Sequence, residues 1–128
     1  IYDENKQRSY ELARLAALNA SKPDWDGYNG KPVSEGTLAN AFRLIDLFPS
    51  HILPTDVDSE PDDSIAFSWY VANGLSYHLN VFNTNVVIET GHVMMNGNDK
   101  YISSSFLLSN ELPTNIVRYL DLFNSLKE

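Results

Sequence analysis

The sequence predicts an α+β domain: an antiparallel four- to five-stranded meander with two N-terminal helices and one C-terminal helix packed mainly on one of its faces. Three observations carry this. Apolar residues recur at helical spacing near both ends of the chain, the period changes to strict alternation from Ile65 onward, and the alternating runs are joined by turns too short for anything but antiparallel pairing.

The segment Tyr2 to Asn19 is rich in Ala, Leu, Glu, Arg and Lys and free of Gly and Pro, so it reads as a helix whose expected apolar face is Leu12, Leu15, Ala16 and Leu18. Ser21-Lys22-Pro23 stops it, and a turn-rich stretch with Gly27, Gly30 and Pro32 follows. Ser34 suits the N-cap of a second helix, in which Leu38, Ala41, Phe42 and Ile45 fall on one side before Pro49 ends it. An irregular connection leads to an acidic loop, with a short edge strand expected near Leu53 to Val57. Ile65, Phe67 and Trp69 then alternate with Ala66, Ser68 and Tyr70, and after Asn73-Gly74, a strong hairpin signal, Leu75, Tyr77, Leu79 and Val81 alternate with Ser76, His78, Asn80 and Phe82. Further strands cover Val86 to about Met94 and Tyr101 to Leu108, with Asn96-Gly97-Asn98-Asp99 turning between them. Pro113 to Leu126 makes the last helix, with Pro113 expected at its first position and Ile116, Leu120 and Phe123 aligned. The predicted buried face of the sheet is Ile65, Phe67, Trp69, Leu75, Tyr77, Leu79, Val81, Val86 and Ile88.

The 128 residues fit a single domain, spanning 1–128, large enough to fold without disulfides. The absence of cysteine excludes thiol chemistry and thiolate metal sites, and it fits a reducing cytoplasm, the expected location. No apolar run approaches the roughly twenty residues of a membrane span, so no membrane partner is expected. Position 1 is Ile, so the numbered chain is expected to be a processed or trimmed piece of a longer one.

Charge is distributed in an informative way. From Ser64 to Asn98 the only ionised side chain is Glu89, where ordinary usage would place roughly nine charges. A sheet with two uncharged faces buries one under helices and keeps the other for a partner or for a second copy of itself. The expected outer surface is Ser68, Tyr70, Ser76, His78, Asn80 and Phe82. Beside this neutral stretch, Asp56, Asp58, Glu60, Asp62 and Asp63 supply five acids with no base among them, in a chain of net charge −8. With nine bases scattered along the sequence, direct nucleic-acid binding is not expected, whereas a basic protein partner suits the acids.

Trp25-Asp26-Gly27-Tyr28-Asn29-Gly30, followed by Lys31-Pro32-Val33-Ser34, makes physical sense as a compact turn: Asp26 accepts backbone N–H groups, the glycines permit positive φ, and the two aromatics either anchor the turn or form an exposed contact site. Together with the strand Ser64-Ile65-Ala66-Phe67-Ser68-Trp69, this segment resembles the W-D-G-Y-G-A signature of an uncharacterised family of small bacterial and mobile-element proteins. It departs from that signature at Asn29 and Gly30, where the family has Gly and Ala. The resemblance covers about residues 25 to 70; it implies this fold and a bacterial or phage origin, and no activity.

Catalytic and metal templates find little. Asp56-x-Asp58-x-Glu60 opens like a calcium loop, but Pro61 stands where glycine is required and Phe67 where the bidentate glutamate belongs. His51, His78 and His92 lack metal-ligand spacing, and no nucleophile elbow or phosphate-binding glycine loop occurs. Ser103-Ser104-Ser105 reads as a solvent-facing or edge strand. No catalytic residue, metal or cofactor is therefore expected. The expected function is protein binding, with Trp25, Tyr28, the five acids and the outer sheet face as candidate contacts and a homodimer as one form of it. Two alternatives stand beside it: an acidic inhibitor or antitoxin that occupies a basic groove, and a hydrolase or nuclease subunit in which His78, His92 and Glu89 converge.

Overall fold

The computed structural model describes residues 4–71 and 74–126. After a single 3₁₀ turn at Glu4–Lys6 come helix α1 (Gln7–Asn19) and helix α2 (Glu35–Leu47), then strands β1 (Asp56–Glu60), β2 (Ser64–Tyr70), β3 (Ser76–Val81), β4 (Val86–Met95) and β5 (Asn98–Leu107), and finally helix α3 (Thr114–Leu126). The strands form one five-stranded sheet in the order β1-β2-β3-β4-β5, each antiparallel to its neighbour, so the α+β meander is observed.

Local chemistry explains the boundaries. Ser34 caps α2, its Oγ accepting from the Thr37 N–H at 3.3 Å, and Asp63 reaches back across the fold to accept from both the Ser34 N–H and the Thr37 hydroxyl at 2.8 Å. A carboxylate thus sits on the positive end of the helix. Pro113 lies one place before the expected position: its carbonyl accepts from Ile116 and Val117, so it precedes the helix rather than opening it. The β4–β5 turn is the two-residue Asn96-Gly97, both at positive φ (54° and 78°), which keeps the strands twisted together. Of the other hairpin signal, Gly74 has φ +76° and the Val71 N–H bonds the Leu75 carbonyl, while Asn73 lies outside the described residues, as does Tyr2.

The core lies between the sheet and its helices. Phe48, just after α2, meets Phe67 and Trp69 edge-on at 5.4 and 5.3 Å, and Tyr77 meets Tyr119 and Phe123 of α3 at 5.7 and 6.0 Å. Ile65, Phe67, Trp69, Tyr77, Leu79 and Val81 are all buried, as their alternation requires.

Two expectations about facing are corrected. On β4 the inward residues are Val87, Glu89 and Val93, because Leu79 pairs with Glu89 and Val81 with Val87; Val86 and Ile88 face outward, 38% and 39% exposed. On α1 the buried residues are Ser9, Ala13 and Ala16, whereas Leu15 and Leu18 are exposed. Small side chains let α1 approach α2 and β1 closely, and Tyr10 closes the contact by stacking edge-on against Phe42 at 5.8 Å.

Candidate protein-binding surface

The outer face of the sheet follows from the register. Asp58, Ala66, Asn80, Ile88 and Ser105 form one cross-strand row, and Asp56, Ser68, His78, Thr90 and Ser103 form the next. Since Glu89 points inward, the outer face of β2, β3 and β4 carries no carboxylate and no Lys or Arg. Large apolar groups emerge instead: Tyr70, Ile88, Met94, Tyr101 and Leu107 are all exposed, Tyr101 by 75% and Leu107 by 68%.

Polar order on this face is internal. The His78 ring sits between two hydroxyls, with Nδ1 2.8 Å from Ser68 Oγ and Nε2 3.1 Å from Ser76 Oγ, and Tyr70 packs edge-on against it at 5.7 Å. Partial burial holds the His78 imidazole below its usual pKa. Asn80 donates to Ser64 Oγ at 3.3 Å. Ser68, expected as a contact residue, is only 4% exposed; it is short and its hydroxyl is taken by His78, so it supports the surface without presenting itself. Phe82 falls just beyond β3, half-buried, with its carbonyl accepting from Asn40, so it borders the face rather than belonging to a strand. Further along, His92 stacks flat on Tyr101, centroids 4.5 Å apart, and its Nε2 lies 3.2 Å from Asp99 Oδ1 but off the line of a hydrogen bond.

The acids do not form a loop. Asp56, Asp58 and Glu60 lie on edge strand β1 and share its outer side, where Asp56 and Asp58 are exposed. Burial, together with the nearby Asp62 and Asp58 charges, pushes the Glu60 carboxyl above its ordinary range. Asp62 and Asp63 belong to the β1–β2 turn: Asp62 accepts from the Ser64 hydroxyl, and Asp63 is committed to the start of α2.

The Trp25–Gly30 turn has the expected Asp26-centred geometry, but the residues at positive φ are Gly27 (77°) and Asn29 (61°), not Gly30. Asp26 Oδ1 accepts from the N–H groups of Tyr28 and Gly30 at 2.9 and 2.8 Å, which holds its pKa below the ordinary value despite an opposing effect of burial. A methyl group on Gly30 would lie 2.6 Å from that oxygen, so a larger residue there would have to displace the Asp26 carboxylate. The aromatics divide: the partly buried Trp25 donates its indole N–H to the Lys31 carbonyl at 2.7 Å, while Tyr28 anchors nothing and stands 88% exposed at the tip.

His78 and His92 share the outer face and Glu89 lies on the inner one, so these three do not converge in a pocket. Among the described residues no group of three His, Asp or Glu side chains is placed to hold a metal ion, and no helix is long and apolar enough to cross a membrane. A groove of about 490 Å³ opens elsewhere, between the tip of the β4–β5 hairpin and α3, lined by Met95, Lys100, Arg118, Tyr119 and Leu122 among others. The sequence offered no sign of it, because its walls come from segments that carry no motif. No known family, curated protein or solved structure matches the chain.

Proposed function

We propose that this chain is a non-catalytic protein–protein interaction module, acting in the cytoplasm of a bacterium or phage-infected cell, that binds through the outer face of its sheet. The observation that supports it most is the inward turn of Glu89. It leaves the outer side of β3 and β4, beside the small buried Ser64, Ala66 and Ser68 of β2, without a charged group, next to exposed Ile88, Met94, Tyr101 and Leu107. Soluble sheets ordinarily place Lys and Glu there. The W-D-G-Y segment supports a bacterial or mobile-element origin, and the exposed Tyr28 is a second candidate contact.

Asn80→Lys and Ile88→Lys test the reading, with thermal melting and light scattering on each. Both variants should melt within a few degrees of the parent and lose association with a protein partner held on this face. A large fall in melting temperature would assign the face to the fold, and retained association would move the contact elsewhere.

The row Asp56, Asp58 and Glu60 favours a basic partner at the β1 edge. The inhibitor or antitoxin form of that reading has less support. Asp62 and Asp63 are engaged internally, and the adjoining β2 positions are Ser64, Ala66 and Ser68, which add no carboxylate.

A further inference from the structure

The two edges of the sheet are unlike. β1 is five residues long, carries Asp56, Asp58 and Glu60, and is followed by Pro61; these are features that discourage another strand from adding there. β5 is ten residues long, and the chain carries no charge from Tyr101 through the end of the strand to Asn110. Its outward backbone can be identified. The Leu108 N–H bonds Asn85 on the β4 side, so even-numbered residues along this ladder face β4, and the N–H and C=O groups of Tyr101, Ser103, Ser105 and Leu107 face the free edge.

The strand reads the same in both directions: Tyr101-Ile102-Ser103-Ser104-Ser105-Phe106-Leu107 is two large apolar residues, three serines and two large apolar residues. A two-fold axis demands such self-complementarity. Beyond the partner proposed for the sheet face, we infer that a second copy of the chain joins at the sheet edge, by antiparallel β5–β5 pairing centred on Ser104.

In that register Tyr101 of one copy faces Leu107 of the other on the outer side, Ile102 faces Phe106 on the inner side, and Ser103 faces Ser105. Asp99 and Lys100 fall beyond the apolar pairs. Shifting the centre to Ser103 would set Asp99 against Leu107 and Tyr101 against a serine, which is less favourable. About eight interchain hydrogen bonds form through the outward residues. The acids of β1 lie about 19 Å away across four strand spacings, beyond a Debye length of about 8 Å, so the net charge opposes pairing only weakly. Covering the edge and the Tyr101 and Leu107 side chains removes on the order of 1,000 Å² in total, about the lower limit for a specific interface.

The chain has no cysteine, so a single introduced thiol reports the register directly. At the centre the two Ser104 residues form a non-hydrogen-bonded pair with Cα atoms about 4.5 Å apart, within the about 4.4–6.8 Å that a disulfide spans. Ser104→Cys should oxidise to a covalent dimer at micromolar concentration, and Asn80→Cys, in mid-face, should not. Sedimentation equilibrium should show a monomer–dimer equilibrium for the parent. Ser103→Pro, which removes only an outward N–H on an edge strand, should weaken it about 100-fold and leave the monomer's melting unchanged. A parent that stays monomeric at its highest soluble concentration overturns the inference, and so does a dimer linked through Asn80→Cys but not through Ser104→Cys. The reading of the sheet face fails by a different result, namely Ile88→Lys leaving association with a protein other than the chain itself intact, whereas the edge dimer does not depend on Ile88.

Discussion

The Tyr77 hydroxyl donates a 2.5 Å hydrogen bond to Glu89 Oε2 beneath α3, and this pair holds the only carboxylate of the Ser64–Asn98 stretch inside the protein. Tyr77 is fully buried and Glu89 is 2% exposed, on neighbouring strands. Tyr77→Phe leaves Glu89 without that donor and should cost about 1–3 kcal/mol, the penalty for an unsatisfied buried acceptor. Glu89→Gln keeps an oxygen for the phenol and should cost less. The pair also fixes the alkaline limit. Burial, reinforced by Glu89, raises the Tyr77 pKa far above the ordinary 10.0, so the unfolded chain releases this proton near pH 10 and the folded chain retains it. Stability is therefore full below pH 10 and declines above it, by up to about 1.4 kcal/mol per pH unit for one proton. Denaturation curves between pH 9 and 11 should show that slope in the parent and a shallower one in Tyr77→Phe.

Inner and outer faces should respond differently to truncation. Trp69 is fully buried against Phe48 and Tyr77, so Trp69→Ala should cost about 3–5 kcal/mol by chemical denaturation. Ile88→Ala, on the open face, should cost less than about 1 kcal/mol. Equal losses would mean that both faces are covered.

The fold class was legible because period, turn chemistry and helix caps agree with one another in most segments. Reading fell short where pattern and packing part. Val86-Val87-Ile88 has no alternation, so nothing local says which of the three faces inward, and the one charged neighbour, Glu89, argues for the wrong face; Tyr77 decides it, twelve residues away. In α1, Leu15 and Leu18 imitate a core stripe but are exposed, whereas Leu12 and Ala16 pack inward as expected, beside Ser9 and Ala13, because close approach to β1 and α2 selects small residues. The acids read as a loop because Asp and Pro are poor strand formers, and an edge strand tolerates both. Ser103-Ser104-Ser105 reads as a solvent-facing or edge strand, and the sheet order places it at the edge, where the symmetric order of β5 acquires a meaning that the sequence pattern alone does not give it.

His78 predicts an acid-side change. Its ring is half-buried between Ser68 and Ser76, so the folded protein resists a proton that the unfolded chain takes up near pH 6.5. Stability is accordingly full above that pH and declines as the pH falls toward the lowered value. The decline is a fraction of the ~1.4 kcal/mol per pH unit that a whole proton carries, because the ring is only partly shielded from solvent. Unfolding free energies at pH 7.5 and 5.5 should differ by less in His78→Gln than in the parent. An imidazole that titrates at an ordinary pKa by NMR would remove the basis for this.

Glu60 turns the acidic edge into a measurable quantity. Burial first, then the charges of Asp62 and Asp58, raise its pKa above 4.5, so its ionised form is disfavoured by folding. The sign follows: stability is greatest below the unfolded pKa and is lost as the pH rises through the folded one, so that at pH 7 the carboxylate opposes the fold. Glu60→Gln should raise the melting temperature at pH 7, and the gain should vanish near pH 4. Added salt should remove the part due to Asp58 and Asp62 and leave the part due to burial. The proposed contact of this edge with a basic surface has its own test. Replacing Asp56, Asp58 and Glu60 together by Asn or Gln should then slow association with a basic partner and flatten its salt dependence, while the dissociation rate changes little. If Glu60→Gln gains nothing at pH 7, the row is fully solvated and its acids serve solubility alone.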